Sequence, residues 1–100
     1  MIDVILSIEA EVDLLEITSF ISSGDEAIAR RFVYGLMESL DLLSEYPEMG
    51  RKRDDLKRGL RSINFNRYLV LYRIEDDVVK VVRIVHGARD IASLFEEPPL

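Results

Sequence analysis

The sequence predicts an α+β fold: an N-terminal strand, an antiparallel αα-hairpin and a three-stranded antiparallel meander, with both helices packed on one face of a four-stranded sheet. Three observations predict it. Apolar residues recur at helical spacing twice in the first half, with one break at Ser22-Ser23-Gly24-Asp25. Two runs rich in β-branched and aromatic residues, Tyr68 to Ile74 and Val78 to His86, flank the polar connector Glu75-Asp76-Asp77 as a hairpin. A short β-prone run, Ile2 to Leu6, precedes the helices as an edge strand. No repeat, low-complexity tract or linker interrupts the 100 residues, so residues 1–100 read as a single domain.

Ser7 caps the first helix, with Glu9 and Glu11 in the turn where the helix dipole favours acids. Ala10, Leu14, Ile17 and Ile21 form its stripe, with Phe20 beside it. Ser23 and Glu26 are spaced as a capping box for the second helix. There Ala29, Phe32, Val33, Leu36, Leu40 and Leu43 make a continuous apolar stripe, read as core. Pro47 stops that helix and Gly50 marks a turn. The basic triplet Arg51-Lys52-Arg53 reads as a solvated loop rather than a nucleic-acid contact. Leu60 to Arg89 then holds the meander. Asp90 caps a last short helix, Ile91 to Phe95, and residues 96–100 read as a frayed tail.

With Asp76 and Asp77 as the two turn residues, Ile74 faces Val79, Tyr72 faces Val81, Val70 faces Arg83 and Tyr68 faces Val85 on one side of the sheet. That side is apolar except for Arg83, which must either snorkel to the rim or pair with an acid such as Glu38, Asp41 or Asp90. The other side pairs Arg73 with Lys80, Leu71 with Val82, Leu69 with Ile84 and Arg67 with His86. It is apolar at its centre and basic at both ends. Such a mixed face calls for a cover, either a partner or the chain's own segment Ile91 to Phe95.

Composition narrows the chemistry. Cysteine is absent, which excludes disulfides, thiolate metal sites and a cysteine nucleophile. There is no G-x-S-x-G, no glycine-rich phosphate loop and no H-E-x-x-H, so neither cofactor nor metal is expected. Asp54-Asp55 and Asp76-Asp77 are turn residues rather than paired catalytic carboxylates. No apolar run approaches the roughly 20 residues of a membrane span, and Met1-Ile2-Asp3-Val4 lacks the basic start of a signal peptide. The expectation is a cytoplasmic protein that does not engage membranes. The net charge of -6 conceals an asymmetry: eleven acids and two bases in residues 1–50, eleven bases and eight acids in residues 51–100.

Further residues carry a family resemblance. Ala10 with Asp13-Leu14 and Ile17, Ala29 with Phe32, Pro47 with Gly50-Arg51, Gly59-Leu60-Arg61, Tyr68 with Tyr72-Arg73, and Arg83-Ile84-Val85-His86 with Arg89-Asp90 stand in an order and spacing that resembles the ParE/RelE toxin superfamily, ParE branch, over nearly the whole chain. The resemblance implies a small cytoplasmic toxin of a bacterial type II toxin–antitoxin system. It implies DNA gyrase as target, inhibited by binding, and a ParD-like antitoxin with a disordered segment that folds on the toxin. The antitoxin would lie on the mixed face, against Arg67, Leu69, Leu71, Arg73, Lys80, Val82 and Ile84.

The RelE branch implies a different chemistry, ribosome-dependent cleavage of messenger RNA without a metal. Arg61, Arg83, His86 and Arg89 would then hold the phosphate and move protons. Phe95 stands where that branch commonly has a tyrosine, and a lone histidine at a strand end is more often structural, so no catalytic residue is favoured. The net acidity argues against direct nucleic-acid binding and keeps open a detoxified homologue that only binds its antitoxin.

Overall fold

The computed structural model describes residues 1–96. The elements run β1 (Asp3–Leu6), α1 (Ile8–Ser22), α2 (Glu26–Glu45), β2 (Arg51–Lys52), β3 (Arg61–Phe65), β4 (Tyr68–Glu75), β5 (Val78–His86) and a 3-10 turn, Ala92–Phe95. The α+β class and the element order match the sequence reading. The strand count does not: the sheet has five strands, ordered β1-β5-β4-β3-β2. The added strand is the start of the basic triplet, with Arg51 opposite Ser62 and Lys52 opposite Arg61. Two residues are too few to show a period-2 pattern, so the sequence carries no strand signal there.

The sheet is mixed. β1 runs parallel to β5, from Asp3 opposite Val78 to Leu6 opposite Val81, and the other pairs are antiparallel. Asp76 and Asp77 both adopt left-handed φ, 52° and 57°, as a two-residue hairpin turn requires.

The hairpin register holds from Glu75 opposite Val78 to Tyr72 opposite Val81, then shifts by one. Val82 is the extra residue of a β-bulge, and Leu71 faces Arg83, Val70 faces Ile84, Leu69 faces Val85 and Tyr68 faces His86. A one-residue slip exchanges faces, so Ile84 moves to the helix side and Val85 to the mixed side.

The cause of the bulge lies at the start of α1. β1 ends at Leu6, and Ser7 donates from its N–H to the Val81 carbonyl and from its hydroxyl to the Val82 carbonyl. Nearly two turns on, Asp13 accepts the Ile84 N–H at 2.9 Å. Helix-borne groups thus satisfy the backbone of β5 where its strand partner stops.

The core lies between the helices and the sheet. Phe32, Leu36, Leu40 and Leu43 of α2 and Ala10 of α1 pack with Val70, Tyr72, Val79, Val81 and Ile84. Ser7 caps α1 as expected, accepting from Ala10 N–H, but α2 is capped by Asp25, which accepts from Ala27 N–H, while Ser23 closes α1. Gly50 sits where a Cβ would fall 2.4 Å from the Tyr72 hydroxyl. That hydroxyl donates to Pro47 O at 2.7 Å and accepts from Gly50 N–H at 2.9 Å, fastening the segment after α2 to the sheet. The last turn is 3-10 and lacks a side-chain cap, so Asp90 does not play the role expected of it. Glu96 is extended and exposed, and the rest of the expected tail, residues 97–100, lies outside the described residues.

Candidate functional site

The four residues of the ribonuclease reading do not converge. Arg61 opposite Tyr72 lies four residues along β3 from Phe65, whose neighbour Tyr68 faces His86. That is roughly 13 Å along the strands and two strands across. Arg61 donates to the carbonyls of Glu48 and Gly50, at 3.0 and 2.9 Å, which assigns it to the post-helix turn.

Arg83 binds Asp13 through both prongs of its guanidinium, at 2.7 and 2.9 Å. These hydrogen bonds hold the guanidinium's pKa above its ordinary value. Arg83 does find an acid, but it is Asp13 rather than Glu38, Asp41 or Asp90. Asp13 is only 7% exposed. Sequence reasoning placed Asp13 in a motif without a task; an acid nearly two turns past the helix cap, in line with the apolar stripe, was the available signal.

His86, the last residue of β5, and Arg89 just beyond it are both exposed, and Arg89 N–H donates to His86 O. His86 Nδ1 accepts from Ala88 N–H at 3.1 Å, which folds the turn after β5 back onto the ring.

The mixed face is covered from within. Leu71, Val85 and Ile91 form a second apolar cluster, with Leu56, Leu69, Val82, Leu94 and Phe95 packed against it. Of the two covers considered from sequence, the C-terminal segment occupies the face. Leu71 is 0% exposed. Ile84 is corrected to the helix side by the bulge. Arg73 and Lys80 remain half-exposed toward the hairpin turn, and Arg73 Nε lies 2.8 Å from Glu75 in an ion contact that is not an aligned hydrogen bond. Arg67, in the β3–β4 turn, is exposed.

Arg67 belongs instead to an open groove of about 930 Å³ at the tip of the helix hairpin. Its floor is aromatic. Phe32 meets Phe65 and Tyr68 edge to face, with ring centroids 5.1 and 5.5 Å away, and Tyr68 meets His86 in the same way at 5.6 Å. Phe65 lies directly on α2 because Gly35 has no side chain; a Cβ there would fall 2.8 Å from the ring. Phe20 and Ile28 flank the groove, and Phe20 is 77% exposed. Arg31, Arg67 and His86 line it as well, and among the described residues no carboxylate does. Arg67 O accepts from Gly87 N–H at 2.8 Å, which ties the β3–β4 turn to the end of β5. Three segments distant in sequence build this groove, so no local pattern in the sequence signals it.

Among the described residues no helix is long and apolar enough to cross a membrane. The family model described as the ParE toxin of type II toxin-antitoxin system, parDE, matches residues 4–91. Toxin RelE2 of Caulobacter vibrioides is 34% identical over 89 residues, 89% of this chain and 99% of that one. Toxin ParE3 of the same organism is 39% identical over 51 residues, so the match spans about half of each chain (51% and 51%). A solved structure of the chromosomal ParDE system from P. aeruginosa superposes with a TM-score of 0.74 at 18% identity, over 86% of this chain and 96% of that one, which is a likeness of fold.

Proposed function

We propose, from the premise that this chain belongs to the ParE toxin family of type II toxin–antitoxin systems, that it inhibits DNA gyrase by binding and is neutralised by a cognate ParD-type antitoxin. The family match over residues 4–91 carries the reading. The dispersal of Arg61, Arg83, His86 and Arg89 supports binding over catalysis: two are committed to internal hydrogen bonds and only two are adjacent. A messenger-cleaving nuclease is the second reading, favoured by the full-length likeness to a toxin named RelE2.

The fold bears on where the antitoxin would lie. Leu71 is buried and Leu69 and Val82 half-buried beside the segment at residues 91–95, whereas Arg67 is open without any rearrangement. Purified gyrase in a supercoiling assay, beside a translation assay for messenger cleavage, tests the proposal. Inhibition of supercoiling with intact messenger is expected. Messenger cleavage with normal supercoiling would select the second reading, and silence in both would favour a homologue that only binds its antitoxin.

A further inference from the structure

We infer that the groove at the hairpin tip seats a large apolar side chain from an acidic segment of the antitoxin. The inference rests on the reading that the chain has an antitoxin. The groove is of ligand-pocket size, for which about 300–1,000 Å³ is usual. Its aromatic floor is already packed edge to face, so little ordering remains to be done when a partner arrives. Phe20 gives an exposed aromatic at the mouth with no core role, the type of residue that dominates interface energetics.

Charge selects the occupant. In a chain of net charge -6, the groove is lined, among the described residues, by two arginines and a histidine and by no acid. An apolar anchor would fill the floor while flanking Asp or Glu residues met Arg31 and Arg67. A nucleic acid fits less well, because the helical half that forms one wall carries most of the chain's acids. A second copy fits less well too, because a two-fold contact would set the arginine-bearing rims against each other. The mixed sheet face is no rival, being closed by Ile91 and its neighbours.

The test titrates fluorescein-labelled cognate antitoxin against the full toxin and two groove variants, Phe20→Ala and Arg67→Glu, with Tyr34→Ala on the outer surface of α2 as control. Phe20, Arg67 and Tyr34 are exposed, so the variants should melt like wild type. The expected result is at least a tenfold weakening for each groove variant and less than a threefold change for the control. For Arg67→Glu much of the loss should fall in the association rate and shrink as salt rises.

Wild-type binding that neither groove variant weakens would overturn the inference and leave the antitoxin reading standing. No binding by wild type would overturn both. Self-association of the free toxin, abolished by Phe20→Ala in sedimentation, would give the groove to a second copy and also overturn it.

Discussion

Removing the Asp13 carboxylate should unsettle the molecule more than any other single polar change. Asp13 accepts three hydrogen bonds, two from the Arg83 guanidinium and one from Ile84 N–H. In Asp13→Ala the guanidinium keeps its charge in a partly buried setting and the buried N–H loses its acceptor. Breaking a buried pair from one side costs about 3–5 kcal/mol. A domain of this size has only about 5–15 kcal/mol of stability in total. The variant should therefore lose about a fifth of its stability at the least, and the cooperative transition in urea should move to lower denaturant. Adding Arg83→Met should recover about 1–2 kcal/mol, because it removes the stranded charge while keeping apolar bulk. Urea denaturation of wild type, both single variants and the double variant measures the coupling. A loss below about 1 kcal/mol for Asp13→Ala, or single costs that simply add, would refute the reasoning that this acid fastens α1 to the bulge of β5.

Three other changes probe separate parts of the structure. Leu71→Asp places a carboxylate beneath Ile91 in the closed cluster and should cost about 4 kcal/mol or more, read as a collapsed melting temperature; a normal melt would mean that residues 91–95 do not cover the sheet in solution. Burial raises the Tyr72 phenol above its ordinary pKa, so its contribution to stability is complete below about pH 10 and is lost as pH rises through the higher folded value. An ultraviolet titration should show one late tyrosine component that Tyr72→Phe removes, at a cost of about 1–3 kcal/mol from the unpaired Gly50 N–H and Pro47 carbonyl. His86→Gln should preserve growth inhibition at wild-type protein levels, and complete loss of toxicity with the fold intact by circular dichroism would point to the nuclease.

What the sequence conveyed depends on the range of the cause. The turn at Asp76-Asp77 and the stripes of α1 and α2 are local, and all were legible. The hairpin register was legible as far as Tyr72 opposite Val81, where only the turn sets it. Beyond that point Ser7 and Asp13, some 70 residues earlier in the chain, set the bulge, and no pattern within the hairpin announces them. This long-range cause moved Ile84 off the expected antitoxin face and brought Val85 onto it.

The same limit explains the functional surface. The mixed face was visible as an alternation of apolar and basic residues, but alternation does not say which of two covers takes it. The groove joins the tip of a hairpin, a two-residue turn and a strand end, and it exists only once the sheet has closed. Asp25 supplanted Ser23 as the cap of α2 because α1 runs through Ser22 and uses Ser23 as its own end.

Controlled expression in a growing bacterial culture, with and without the cognate antitoxin, tests the central claim most directly. A toxin of this family should halt growth within a few generations when expressed alone, and co-expression of the antitoxin should restore it. Unimpaired growth at confirmed levels of folded protein, or an arrest that the antitoxin leaves untouched, would contradict the account.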